Sequence, residues 1–173
     1  MTARPPDQAV AAPAGHDFDA LYAASFQRLA LQLYAYMGDL GGAQDVVQEA
    51  FCRAYVRWRT LQDYADPEAW VRRVAWNLAK SQFRRQRTVA GFLRRQRMEV
   101  VPEPSPDRVA LVRALAGIAP TRRRVLVMHY MVGMSTAQIA EHESVAEGTV
   151  KSWLSRGRAE LAAQLKEGVD HDA

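Results

Sequence analysis

The sequence predicts an all-α fold made of two small helical domains joined by a flexible linker, the C-terminal one a helix-turn-helix. Three observations carry this reading. Apolar residues recur at helical spacing through most of the chain, while strand signals are weak and no segment repeats. The proline-punctuated stretch MEVVPEPSP separates two helix-rich regions. Finally, Ser135 to Leu165 reads as two helices with a break of only a few residues. The expected layout is a disordered arm over 1–16, a first domain over 17–86, a linker over 87–106, a second domain over 107–165 and a tail over 166–173.

The start, MTARPPDQAVAAPAG, has three prolines and no sustained apolar run, so it reads as a disordered arm and not as a signal peptide. Helical spacing begins after Asp17 with Phe18, Leu21, Tyr22, Phe26, Leu29, Leu33 and Tyr36, and Gly38 ends it. Asp39 can cap the next helix, although Gly41 and Gly42 weaken its first turn. In that helix Val47, Ala50, Phe51, Ala54, Tyr55 and Trp58 form one apolar face. The opposite side carries Asp45, Gln48 and Glu49, with Val46 at its edge. A solvated surface is the ordinary reading of such a patch.

Leu61 to Asp66 reads as a loop, after which Asp66 caps a helix with Pro67 at its first position. Trp70, Val71, Val74 and Leu78 are expected inward. Arg73, Trp76, Asn77, Lys80, Phe83 and Arg84 then fall outside. Aromatic rings between basic groups suit a single nucleic-acid strand, because bases stack on rings while Lys and Arg hold phosphates. A second packing face against a neighbouring helix is the alternative. Arg-rich sequence follows, and a linker or a marginal helix is expected over 88–106. Val109, Val112, Leu115 and Ile118 mark another helix, Pro120 is expected to break the chain, and Arg124 to Met131 to form the next helix before Gly133.

Ser135 and Gln138 have the spacing of a capping box. In the last helix Val150, Leu154, Gly157 and Leu161 make one buried stripe, and Gly148, Lys151, Ser152, Ser155 and Arg156 lie opposite. Basic residues and small hydroxyls in front of an apolar stripe suit the DNA major groove. A solvated amphipathic helix is the competing reading.

Composition narrows the function classes. A net charge of +4 over 173 residues permits an anionic partner, and the arginines cluster at 84–97 and 122–124. One cysteine, Cys52, excludes an internal disulfide, argues for a reducing compartment, and is expected buried or half-buried in its helix. No apolar run is long enough to span a membrane. The four histidines lack metal-ligand spacing, and neither a phosphate loop nor a nucleophile elbow is present, so no enzyme, metal or cofactor is expected.

Several stretches resemble bacterial extracytoplasmic-function (ECF) sigma factors of the sigma-70 family. GTVKSWLSRGRAEL and the preceding IAPTRRRVLVMHYMVGMSTAQIAE are similar to the C-terminal promoter-binding domain of that family. DVVQEAF is close to the D-L-V-Q-E-x-F signature of its N-terminal domain, and AWVRRVAWNLAKSQFRRQR resembles the helix that reads the −10 element. The resemblance implies a cytoplasmic, non-enzymatic alternative sigma factor. Its partners would be core RNA polymerase, through the β′ clamp helices and β flap, and promoter DNA, with an anti-sigma factor as a further candidate. Asp45, Gln48 and Glu49 would dock on the clamp helices. Arg73, Trp76, Asn77, Lys80, Phe83 and Arg84 would meet the opened −10 strand, with Tyr64 in the loop that captures a flipped base. Gly148, Thr149, Lys151, Ser152, Ser155 and Arg156 would meet the −35 duplex. Three departures are visible: Glu143-Ser144 where the family usually has Leu-Gly, Ala146 where a Ser commonly caps, and Trp153 where Arg is frequent. The missing cap should cost about 1 kcal/mol. The rivals fit less of the chain: a response-regulator output domain would leave 17–86 unexplained, and a helical adaptor would leave Trp76, Phe83 and Arg156 unexplained.

Overall fold

The computed structural model describes residues 17–88 and 105–171, and within them eight α-helices and no strand. The expected arm and most of the expected linker lie outside the described residues. Helix α1 (Phe18–Met37) starts where Asp17 Oδ1 accepts the Asp19 N–H at 3.0 Å. It stops at Gly38, whose φ of 75° turns the chain left-handed while its N–H reaches the Tyr34 carbonyl. Helix α2 (Leu40–Val56) follows with Asp39 at its N-cap, although the Asp39 side chain makes no capping bond. A single turn, α3 (Trp58–Leu61), precedes α4 (Pro67–Thr88). Asp66 Oδ1 accepts the Ala69 N–H at 2.9 Å, as the Asp-Pro start predicts.

The second half holds α5 (Pro106–Ala116), α6 (Pro120–Tyr130), α7 (Thr136–Glu143) and α8 (Glu147–His171). Pro120 does not break the chain: it opens α6 from the first turn, where its missing N–H costs nothing. The capping box forms in full, with Gln138 N–H to Ser135 Oγ at 3.1 Å and Ser135 N–H to Gln138 Oε1 at 2.8 Å. Ser144 ends α7 with φ 56° and ψ 48°, so this turn does demand the left-handed conformation that glycine adopts without strain. At Gly157 a Cβ would sit 3.1 Å from Leu126 Cδ1, and the missing side chain lets α8 approach α6 closely.

Helices α1, α2 and α4 pack on one another, and α5, α6 and α7 gather around or beside α8. Leu29, Leu33, Val47, Phe51, Val71 and Trp76 are buried in the first unit; Leu115, Ile118, Val125, Met128, Ile139, Val150 and Leu154 are buried in the second. Phe18, Tyr22, Phe26 and Phe51 add a ring cluster at one end, with Tyr22 and Phe51 edge-on at 4.9 Å between centroids. The two helical domains do not stand apart. Helix α1 also packs against α5 and α6, and one apolar cluster runs through both halves.

That contact overturns part of the expected burial. In α4 the fully buried positions are Val71, Ala75, Trp76 and Ala79, while Trp70, Val74 and Leu78 are only partly covered. Trp76, expected outside, is 1% exposed. Cys52, expected buried or half-buried, is exposed because α2 turns Phe51 and Ala54 to the core instead.

Candidate polymerase and nucleic-acid faces

On α2, burial of Val46, Val47, Ala50 and Phe51 leaves Asp45, Gln48 and Glu49 exposed together, at the three- and four-residue spacing of one helix face. Gln48 is held at both ends of its amide: Oε1 accepts the Tyr22 O–H at 3.0 Å, and Nε2 points to Cys52 Sγ at 3.8 Å. Burial, with the charge of the neighbouring Cys52 adding to it, raises the Tyr22 pKa, so the phenol keeps the proton it donates. Glu49 pairs with Arg53 at 2.8 Å across an exposed turn. Such a pair is worth only a few tenths of a kcal/mol, so Glu49 can exchange it for a partner's cation at little cost. The patch is acidic, ordered and outward.

The α4 residues separate into two groups. Arg73, Asn77 and Arg84 are exposed, and Tyr64, in the loop before α4, is 46% exposed. Trp76, Phe83 and Lys80 instead face the rest of the protein. The Trp76 ring lies 5.5 Å from that of Tyr36, and Phe83 lies 5.1 Å from the same ring. Phe83 is also covered by the Arg123 guanidinium at 5.6 Å. Lys80 Nζ reaches Glu143 Oε2 at 3.2 Å. Between α4 and α7 a cleft of about 220 Å³ remains, bordered by Arg73, Trp76, Met134, Gln138 and His142. Trp76 Nε1 and His142 Nε2 are buried without a hydrogen-bond partner among the described residues.

Helix α8 shows its expected face. Val150, Leu154 and Gly157 are buried while Leu161, expected in the same stripe, is only half-buried; Gly148, Lys151, Ser155 and Arg156 are exposed, and Thr149 and Ser152 are half-buried. Arg156 has no hydrogen bond or ion pair among the described residues. Lys151 pairs with Glu147 at 3.0 Å, and Glu147 also accepts the Thr136 hydroxyl at 2.6 Å, which ties the first turn of α8 to the first turn of α7. Those two hydrogen bonds, that of Thr136 first, lower the Glu147 pKa. Trp153 is half-buried and packs on the core, away from this face.

Sequence reasoning missed one group altogether. Arg123 and Arg124 belong to a basic run that permits an anionic partner, yet both are 6% exposed. Arg123 donates to the carbonyls of Tyr36 (3.0 Å), Ala116 (2.7 Å) and Ile118 (3.1 Å). Arg124 donates to both carboxylate oxygens of Glu143 and to the Tyr36 hydroxyl at 3.4 Å. Only Arg122 remains toward the surface, paired with Glu160 at 2.7 Å. The one local signal was Glu143 itself, an acid at a turn position where an apolar anchor is usual. Among the described residues no group of three or more His, Cys, Asp or Glu could hold a metal ion.

Comparison with known proteins identifies the family of both halves. Residues 21–89 match the Sigma-70 region 2 family and residues 108–161 match Sigma-70, region 4. The chain is 36% identical to the ECF RNA polymerase sigma factor SigL of Mycobacterium tuberculosis, over 84% of this chain and 85% of that one. It is 34% identical to the RNA polymerase sigma-E factor of Streptomyces coelicolor, over 71% of each. Among solved structures, the sigma factor RpoE in complex with the anti-sigma factor NepR from Bartonella quintana superposes with a TM-score of 0.69, covering 87% of this chain and 97% of that one at 24% identity. CnrH in complex with the cytosolic domain of CnrY gives 0.61 at 23% identity, over 87% and 88%. At these identities the likeness shows the fold.

Proposed function

Because the chain belongs to the extracytoplasmic-function sigma factors of the sigma-70 family, proteins that bind core RNA polymerase and promoter DNA to start transcription, we propose that its exposed faces divide that task. Asp45, Gln48 and Glu49 on α2 dock on the β′ clamp helices. Tyr64, Arg73, Asn77 and Arg84 meet the opened −10 strand, and Lys80 and Phe83 join them when uncovered. Trp76 supports this face from the core. Gly148, Thr149, Lys151, Ser152, Ser155 and Arg156 take the −35 duplex. The two domains extend over 17–86 and 107–165, with the second also meeting the β flap. The factor performs no catalysis of its own, works in the cytoplasm with polymerase, and is a candidate for restraint by an anti-sigma protein, as the solved RpoE is bound to the anti-sigma factor NepR.

The observation that carries this reading is the α2 patch. Three polar residues matching a docking signature stand exposed on one helix face while the residues between them are buried. Complementary charge of this kind fixes register and speeds encounter with a basic surface. Asp45→Arg combined with Glu49→Arg is expected to abolish capture of core polymerase in a pull-down while leaving helical circular dichroism unchanged. Retained capture by a folded double variant removes the assignment.

A further inference from the structure

One carboxylate ties the first turns of α7 and α8 together. Glu147 is the first residue of α8, and its Oε1 accepts the hydroxyl of Thr136, the first residue of α7, at 2.6 Å. The same oxygen meets Lys151 Nζ, one turn further along α8, at 3.0 Å. A carboxylate can accept on both of its oxygens. Here both donors end on Oε1, so the group is held from one side and keeps Oε2 for a donor from outside. The side chain is 44% exposed, and a Cβ added at the neighbouring Gly148 would meet open space.

We propose, on the assignment of this face to the −35 duplex made above, that Glu147 is a specificity-determining residue. Held by Thr136 and Lys151, it accepts a hydrogen bond from the N4 amino group of a cytosine and turns away guanine at that base pair.

Position and charge both lead there. In a helix-turn-helix the N-terminal residues of the second helix approach base edges in the major groove, and Glu147 opens that helix. An ionised carboxylate only accepts. Of the edges in the major groove, cytosine offers an amino donor alone, whereas guanine offers the acceptors N7 and O6 and thymine an acceptor and a methyl group. Adenine sets the acceptor N7 beside its amino group, a pair that suits an amide better than a carboxylate. The hydrogen bond from Thr136, followed by that from Lys151, lowers the Glu147 pKa, so the acceptor is ionised at neutral pH.

An acid among phosphates weakens binding to every sequence, and a base that donates to it compensates at one sequence only. Discrimination of this kind uses repulsion as well as attraction. Thr136 gives the acceptor its aim. Ordering a flexible side chain on binding costs entropy, and here two donors have ordered it beforehand. The rival account is structural: an acid at a helix start stabilises α8 through the dipole and through its tie to α7.

The test uses the full chain and a duplex library randomised over the −35 segment, read by sequencing bound and free fractions at two salt concentrations, with thermal melting alongside. Wild type should prefer cytosine over guanine at one position. Glu147→Ala should cut that preference about five-fold or more while preferences elsewhere persist. Having lost a negative charge, the same variant should also bind a non-specific duplex more tightly at low salt. Glu147→Gln keeps the length and adds an amide donor, so the preference should move from cytosine toward adenine. Thr136→Val leaves the carboxylate and removes its anchor, and should weaken the cytosine preference by less than Glu147→Ala does. Affinity lost evenly over all sequences, in step with a lower melting temperature, would overturn base reading in favour of the structural account. An unchanged base preference in Glu147→Ala overturns it as well, and leaves the −35 assignment standing on the other positions. A wild type with no base preference anywhere brings down the −35 assignment itself.

Discussion

Helix α8 and helix α4 carry the same kind of sequence: an apolar stripe on one side, and Arg, Lys, Trp and small polar residues around the other. In α8 the helical projection holds. Val150, Leu154 and Gly157 go inward and Lys151, Ser155 and Arg156 stay in solvent. In α4 it fails for half of the outer face, where Trp76 is buried and Lys80 and Phe83 lie beneath Glu143 and Arg123. The difference lies in their neighbours. Among the described residues α8 packs on α5, α6 and α7 of its own half, whereas α4 packs on α1 and α2 and also meets the second domain at Lys80 and Phe83. A projection ranks the faces of a helix by polarity, but it does not count how many surfaces the rest of the chain brings to them.

The largest effect that could break this comparison is at Trp76. If it belongs to the core, Trp76→Ala should destabilise the protein by about 3–5 kcal/mol. Asn77→Ala, one residue further on and exposed, should stay within about 0.5 kcal/mol of wild type. Urea titrations of both variants decide it; equal midpoints would return Trp76 to the outer face. On the α8 side, Arg156→Ala should cost about 1–3 kcal/mol of −35 duplex binding and relax preference at one base pair. Binding of a duplex library at two salt concentrations would expose the contrary case, in which preference is kept and only the salt slope falls by about 1.

A further effect, confined to acid conditions, is set by pH. Burial would raise the Glu143 carboxyl, but hydrogen bonds from His142, Arg124 and Lys80 outweigh it and hold the pKa at about 2 in the folded chain against 4.5 for an ordinary glutamate. A depressed carboxyl contributes its full share above pH 4.5 and loses it as pH falls from there toward 2. Between pH 5 and 8 this group should therefore leave the stability flat. Wild type should lose stability more steeply than Glu143→Gln across the acid window, and parallel acid titrations of the two would remove Glu143 from the contact.

What was legible in the sequence was local. The Asp17 and Asp66 starts, the Gly38 stop, the Ser135–Gln138 capping box and the α8 stripe each depend on residues within one or two turns of each other, and each stands where the spacing put it. The left-handed Ser144 turn was legible only through the resemblance, which has Gly where this chain has Ser144. Pro120 was misread because proline both ends and opens helices, and the choice depends on the chain before it. Arg123, Arg124 and Tyr36 were not legible as a group. They lie 87 and 88 residues apart along the chain, and a run of arginines looks alike whether it faces phosphate or a carbonyl.

Two of the bonds across the halves end on main-chain oxygens, that of Met131, which accepts from Gln32, and that of Tyr36, which accepts from Arg123. No codon change deletes a carbonyl. Replacing Met131 or Tyr36 alters what packs nearby and leaves the acceptor in place, while replacing Gln32 or Arg123 removes the donor. Suppressor screens and paired substitutions among related sequences should therefore report this contact unevenly. Positions 80 and 143, joined side chain to side chain, can change together and keep their bond. Positions 32 and 123 should instead vary or persist alone, with no compensating partner to be found at 131 or 36.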